Sequence, residues 1–379
     1  MDRGGFNRMN KHLTNADIFK IIEKFAPKYL AYDWDNVGLQ IGSFNRPVKK
    51  IMVTLDVLES VVDEAIEHKI DLIIAHHPLL FKPLSQVNLD SPKGRTIRKL
   101  IQHNITVYAA HTNLDAADGG VNDMLCDALN IYSQEVLIES ETEKLFKIAV
   151  YVPKLHGEAI RDALSDSGAG HIGNYSHCTY QVEGQGTFKP LEGTDPFIGT
   201  KNKLEIVDEL RIETIVPSSK LNHAIKAILN AHPYEEPAYD IFPLGNRGKQ
   251  YGIGRIGNLP KSISLSDLVQ QVKDTFQMEH VRITGDASKK VKRVAILGGS
   301  GEKYIHQAKR KGADVYITGD MSFHTAQDAL EMGLSVIDAG HYIEKVMKQS
   351  LKKYIVKELS NQDIEIMISD TNTDPFQFM

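Results

Sequence analysis

Cysteine and tryptophan are nearly absent from this chain: two of the former and one of the latter in 379 residues. Cys126 and Cys178 are too few for a disulfide framework and lack the close spacing of a thiolate metal site, which fits a reducing cytoplasm. Neither is expected to ligate zinc. No apolar run approaches the roughly 20 residues of a membrane span. The start, Met1 to Asn10, has no apolar core of a secretion signal. It reads as a disordered lead-in, with Met9 as an alternative start. Positive charge is not in excess either. A net charge of −5 supplies no overall basic field for nucleic acid or anionic lipid. Lys289, Lys290, Lys292 and Arg293 read as a solvated loop before a strand rather than a basic patch.

What is present is a soluble globular balance, 42% hydrophobic and 25% charged. The length exceeds one ordinary core, so two or three domains are expected. Thr14-Asn-Ala-Asp opens a helix with Ile18, Ile21, Ile22 and Phe25 at helical spacing, stopping before Pro27. A turn-rich stretch from Tyr32 to Gly42 holds Trp34. From Ile51 the pattern is strand, helix (Glu59 to Lys69), strand (Asp71 to Ala75), helix (Arg95 to His103), strand (Ile105 to Ala110), then a helix from Asp123 to Leu129. The same order returns near the other end. Strands at Arg293 to Leu297, Asp314 to Thr318 and Leu334 to Asp338 alternate with helices at Lys303 to Lys311 and Phe323 to Met332, and a helix from Ile343 to Lys357 closes the series.

Two β-α-β-α-β halves of matching order predict an α/β domain with pseudo-twofold symmetry. Between them, from Lys144 to Leu244, strand, helix, strands, strand, helix and strand follow the split β-α-β order of a ferredoxin-like α+β module. The expected boundaries are 1–135 for the first half, 136–250 for the insert and 251–379 for the second half.

Three predicted strands deliver histidine and carboxylate where they stop. They are Asp71-Leu-Ile-Ile-Ala-His76-His77-Pro78, Ile105 to His111 followed by Asp115, and Leu334 to His341 followed by Glu344. Open α/β sheets place their sites at such C-terminal ends, and imidazole with carboxylate suits zinc, manganese or iron. His76 and His77, neighbours on extended backbone, are expected to diverge and to serve different ions. His341 and Glu344, at i and i+3, share one helix face. His111, His324 and Asp320 are expected near the metals without ligating them, with His111 and His324 as proton carriers. Gly298, Gly299, Ser300 and Gly301 follow a strand and precede a helix. That is either a phosphate-binding turn or tight strand-to-helix geometry. His232-Pro-Tyr-Glu235-Glu236-Pro-Ala-Tyr-Asp240 reads either as a second metal or ligand site or as an ordinary loop into a strand.

Together, Asp33-Trp34-Asp35-Asn36-Val37-Gly38-Leu39-Gln40, Ala75-His76-His77-Pro78, His111 to Asp115, Gly298 to Gly301, Thr318-Gly-Asp320 and Gly340-His341 to Glu344 resemble the Nif-three-like family. Its members are often named GTP cyclohydrolase I type 2 homologues. The insert, with its His232 to Asp240 motif, resembles the CutA-like, PII-type module of the longer bacterial members. The resemblance implies a dinuclear centre of two divalent ions, usually zinc or iron, on His76, His77, Asp115, His341 and Glu344. Some relatives carry one more residue between the last histidine and glutamate. It also implies a toroidal homohexamer, a trimer of dimers. The function expected is metal-dependent hydrolysis of a nucleotide or other phosphorylated small molecule. The alternative is a non-catalytic metal-binding oligomer that senses a metal or metabolite or delivers metal to partners. Nucleic acid would need a basic lining to the ring.

Overall fold

The structure, a computed structural model, describes residues 13–377 and 379; the lead-in with Met9 lies outside them. Helix α1 (Asn15–Phe25) starts at Thr14, whose hydroxyl and amide both donate to Asp17 in a capping box, and stops at Ala26, ahead of Pro27. The first half continues with β1 (Gly38–Ile41), β2 (Lys50–Thr54), α2 (Glu59–Glu67), β3 (Leu72–Ala75), α3 (Pro92–Gln102), β4 (Thr106–Ala109), α4 (Thr112–Ala116), α5 (Val121–Ala128) and β5 (Tyr132–Thr142). Then come β6 (Leu145–Pro153), α6 (Gly157–Asp166), β7 (Thr179–Phe188), β8 (Glu205–Pro217), α7 (Ser218–Ala231) and β9 (Tyr239–Pro243). The second half holds β10 (Gln250–Ser264), α8 (Leu265–Phe276), β11 (Arg282–Thr284), β12 (Lys290–Ser300), α9 (Ile305–Arg310), β13 (Val315–Gly319), α10 (Phe323–Glu331), β14 (Ser335–Asp338), α11 (Val346–Glu358) and β15 (Glu365–Ile368).

The chain divides into two compact units, Thr142–Gln250 and everything on either side of it. Position 136, read from the sequence as the start of the insert, lies within β5. That strand joins β10 in a sheet of the outer unit, which moves the boundary to 141/142.

In the outer unit one sheet runs β1-β4-β3-β2-β15 and another β11-β14-β13-β12-β10-β5. Strands β2, β3 and β4 are parallel, as are β12, β13 and β14, and in each triplet the last strand takes an antiparallel neighbour, β1 or β11. A helix precedes that neighbour in both halves, α1 before β1 and α8 before β11. The repeat therefore reaches beyond the β-α-β-α-β order visible in the sequence. Each half also gives its final strand away: β15 pairs with β2, and β5 stands beside β10.

Alternation along the strands shows why they are apolar throughout. Ile51, Val53, Leu72, Ile74 and Tyr108 enter one core, while Met52, Ile73, Ala75 and Val107 enter another with α2 and α3. A parallel sheet covered on both faces has no polar side, and each fully buried aliphatic side chain contributes about 1.5–3 kcal/mol. The strand ends that follow are thus anchored on a rigid scaffold. Among the described residues no helix is long and apolar enough to cross a membrane, and Cys126 and Cys178 are both free.

The inserted unit is a β-α-β-β-α-β fold of four antiparallel strands in the order β7-β8-β6-β9. Ile148, Val150 and Ile212 pack with Ile160, Leu164 and Ile228 of the two helices, which cover one face of its sheet.

Candidate metal centre

His76 and His77 follow β3, His111 follows β4, and His341 follows β14 after Gly340, whose φ of 70° gives the chain a turn that a side chain would strain. Each imidazole has one nitrogen fixed. Nδ1 of His76 lies 2.8 Å from the Ala110 carbonyl, that of His77 2.6 Å from Asp56 Oδ1, that of His111 2.9 Å from Asp35 Oδ1, and that of His341 2.7 Å from Asp320 Oδ2. Carbonyls and carboxylates only accept, so Nδ1 carries a proton in all four. Nε2 of His77 is also hydrogen-bonded, to Glu344 Oε2 at 3.0 Å, and loss of that proton would leave it, like the other Nε2 atoms of neutral rings, a lone pair for a cation. Histidines that ligate metals are oriented in this way, by a carboxylate or carbonyl behind the ring.

The Nε2 atoms converge. Glu344 Oε2 lies 3.0 Å from that of His77, 3.3 Å from that of His341 and 3.8 Å from that of His76. His76 Nε2 also lies 3.5 Å from Asp115 Oδ1, and both of these atoms are buried without a hydrogen-bond partner. An enclosed, unpaired nitrogen facing an unpaired carboxylate oxygen is costly unless a cation or proton sits between them. Three groups have ligand atoms mutually close enough to hold an ion: His76 with Asp115 and Glu344, His77 with His341 and Glu344, and His76 with His77 and His111. Nitrogen and oxygen donors of this kind fit a divalent transition metal. Exposure rises from His76, which is fully buried, to His341 at 42%, so the cluster opens on the His341 side.

The Duf34/NIF3 (NGG1p interacting factor 3) family model matches residues 13–375. The chain belongs to this family. A Bacillus subtilis (strain 168) protein named GTP cyclohydrolase 1 type 2 homolog is 51% identical over 373 residues, spanning 98% of this chain and 100% of that protein. A Bacillus cereus protein related to NIF3, solved as a crystal structure, superposes with a TM-score of 0.93 at 47% identity, over 97% of this chain and 100% of its own. A Staphylococcus aureus protein matches with a TM-score of 0.76 at 34% identity, over 97% and 99%.

In this NIF3-family chain the structure brings together all five residues expected as ligands, His76, His77, Asp115, His341 and Glu344. His76 and His77 do not diverge. They lie past the end of β3, and their ring centroids are 5.1 Å apart. The i, i+3 pair of His341 and Glu344 lies in a 3₁₀ turn, His341–Lys345, where three residues per turn stack i directly over i+3. His111, expected only nearby, offers a nitrogen to the His76–His77 group.

One expectation changes, and two open readings are decided. His324 is exposed on the first turn of α10, where its described partners are Gln327 and Phe323 and none of the cluster. Its symmetry with His76–His77 is one of sequence order only. Gly298 to Ser300 continue β12 rather than turning, and the Gly298 amide already donates to Asn122, so it is not offered to a phosphate. Their smallness has another use: a Cβ on Gly299 would stand 2.8 Å from Glu344 Oε1, so glycine lets the buried carboxylate sit against the strand. His232 has both nitrogens engaged, Nε2 with the Tyr151 carbonyl and Nδ1 with the Tyr234 amide, which excludes it as a ligand.

Sequence reasoning missed Asp56 and Thr373. Thr373 donates to Asp56 Oδ2 at 2.5 Å, so the C-terminal segment holds the carboxylate that holds His77. Neither residue carries a motif, and only the fold unites them.

The electrostatics describe a site charged for exchange. Burial opposes protonation of His77, but Asp56 and Glu344 outweigh it and hold its pKa at about 10; Glu344 in first place raises His341 to about 9. Burial also opposes a charged His76, and Asp115 with Glu344 raises it nonetheless. Glu344 is held well below the ordinary range because His341, His76 and His77 overcome the effect of burial, whereas Asp115 is pushed up by burial and by the charge of Glu344. Asp35, against the opposing effect of burial, is brought to about 2 by His111 and Thr112.

Proposed function

We propose that this NIF3-family protein holds two divalent ions, one on His76, Asp115 and Glu344 and the other on His77, His341 and Glu344. On this reading it hydrolyses a nucleotide or a related phosphorylated small molecule. The observation that carries the proposal is the pair of orphaned buried atoms, His76 Nε2 and Asp115 Oδ1, among imidazoles already fixed at Nδ1. Zinc and iron fit the donors best, and manganese is compatible with them. Ions held there would supply a water of lowered pKa and stabilise charge developing on a substrate oxygen.

The chain's own groups do the rest. Asp35 fixes the tautomer of His111 and leaves its Nε2 to accept a proton. Beside His111 stands an exposed aromatic wall. Trp34 stacks on Tyr32 at 5.5 Å and 12°, meets Phe81 edge-on at 5.9 Å, and has its ring centroid 6.4 Å from that of His111. Trp34 is 57% exposed and Phe81 42%, a surface suited to stacking a flat heteroaromatic ring.

The insert's strand order supports reading it as a ferredoxin-like module of the PII or CutA type. A toroidal trimer of dimers belongs to the same reading, and sedimentation velocity would then give a particle of six 42.3 kDa chains. The test of function is turnover of a nucleotide and phosphomonoester panel by metal-loaded protein, run beside His76→Ala. Hydrolysis abolished in the variant supports the reading. Turnover unchanged in the variant removes the metals from the mechanism, and exchangeable metal with no turnover leaves a sensor or metal-delivery role in its place.

A further inference from the structure

We propose that the inserted unit carries a second, separate binding site, a cavity of about 620 Å³ that takes a small organic cation: an amine on an aromatic or aliphatic body. The cavity lies between the end of β7, the loop after it and the segment that follows α7. Its walls are aromatic. Phe188 meets Tyr234 with ring centroids 5.6 Å apart, and Phe197 of the loop lies 6.4 Å from the same Tyr234. The loop is pinned across the opening by the Asp195 amide, which donates to Glu235.

One buried charge is built into this setting. Glu209, on β8, lines the cavity and is only 8% exposed. Tyr234 donates its hydroxyl to Oε1 at 3.1 Å, which fixes the carboxylate's direction. A Cβ on Gly186 would stand 2.2 Å from Oε2, so the glycine leaves the space that the second oxygen occupies. Among the described residues the nearby cations have other partners: Lys147 of β6 and Arg211 of β8 itself both pair with Glu213, and the Arg211 guanidinium also lies over the Tyr151 ring at 5.9 Å. Around Glu209 the lining adds Glu235 and Glu236 against a single Lys189.

An enclosed carboxylate without a cationic partner is unfavourable, and a ligand ammonium placed against it relieves that while ring faces attract the same charge. A cavity of this size with a few oriented polar groups and aromatic walls has the make-up of a small-molecule site. An anion would meet three carboxylates, and a bare metal ion would leave the aromatic walls unfilled. The motif from His232 to Asp240 thereby acquires a role: His232 braces the turn, and Tyr234, Glu235 and Glu236 face the ligand.

The test is isothermal titration of the full-length protein with tyramine, agmatine and spermidine, and with 4-hydroxyphenylacetate as the anionic match to tyramine. At least one amine should saturate a single site per chain while the anion does not bind. Glu209→Gln, which keeps the acceptor for Tyr234, should weaken that amine by about tenfold or more. Glu344→Ala should leave it unchanged, which separates this cavity from the metal cluster. If Glu209→Gln fails to fold by circular dichroism, Phe197→Ala serves instead, with an expected loss of about fivefold or more. The proposal is overturned if no amine saturates below about 10 mM. It is equally overturned if the anion binds as well as the amine, if Glu344→Ala abolishes binding, or if the cavity variant binds as tightly as the natural chain.

Discussion

The histidine cluster and the insert's cavity both combine acids with rings, and they are built in opposite ways. In the cluster the polar atoms converge: four Nδ1 atoms are engaged behind the rings, and three Nε2 atoms lie within 3.8 Å of one glutamate oxygen. In the cavity the polar groups stand apart on aromatic walls, and one carboxylate is oriented by one tyrosine. Converging donors leave room for an atom, and dispersed donors leave room for a molecule. The scaffolds differ accordingly. The cluster stands at the ends of strands buried on both faces, whereas the cavity is closed by a loop between two strands.

The sharpest way to separate the two sites is Glu344→Ala. Because Glu344 belongs to both proposed ion groups, metal should fall from about two ions per chain to near none, and hydrolysis by about a thousandfold or more. Amine binding in the insert should not change. Retained metal would show that the carboxylate is structural. A step further out, Asp56→Asn should weaken metal affinity by about 10–100-fold, read by competition with a chromophoric chelator. A change under about twofold would reduce the Asp56–His77 contact to packing.

Asp35→Asn sharpens the contrast from the folding side. The pKa of Asp35 is lowered to about 2 from 3.8, so its stabilisation is complete above about 4 and lost as pH falls through about 2. The variant should lose on the order of 2 kcal/mol at pH 7 in urea unfolding. An unchanged midpoint would contradict the assigned network. The imidazoles act with the opposite sign. With folded pKa values of about 10 for His77 and about 9 for His341, above 6.5 unfolded, the metal-free protein keeps their full contribution below pH 6.5 and loses it as pH rises through 9 to 10. The melting temperature of chelator-treated protein should therefore fall over that alkaline range, while metal-loaded protein stays flatter. Identical profiles would mean that metal and protons do not compete. The smallest expected effect is at the rim. Trp34→Ala should weaken a nucleotide by about tenfold and leave metal content intact. Because Trp34 is the chain's only tryptophan, the nucleotide should also quench intrinsic fluorescence in the natural chain.

The strands that carry the cluster were legible because burial on both faces makes them continuous apolar runs, ending at His76, His111 and Gly340. Those strand ends made His76, His77, Asp115, His341 and Glu344 candidates, and the family resemblance then singled them out as the ligand set. Strand β10 was not legible, because its glycines replace side chains where it approaches β5: a Cβ on Gly252 would stand 1.9 Å from the Ile138 carbonyl, and the composition then reads as a loop. Asp56 and Thr373 were hidden because 317 residues separate them and no spacing rule joins them. His324 misled because order along the chain matched that of His76 while its helix turns the ring to solvent. The glycines from Gly298 to Gly301 illustrate the converse, since a motif that suits phosphate suits a neighbouring carboxylate equally well.

The most direct measurement is elemental mass spectrometry of the protein purified without added metal or chelator, beside His76→Ala and Asp115→Ala. About two ions per chain are predicted, falling to about one in either variant, because the orphaned nitrogen and oxygen belong to the same ion group. Substoichiometric metal that neither substitution changes would contradict this and make the converging strand ends a purely structural arrangement.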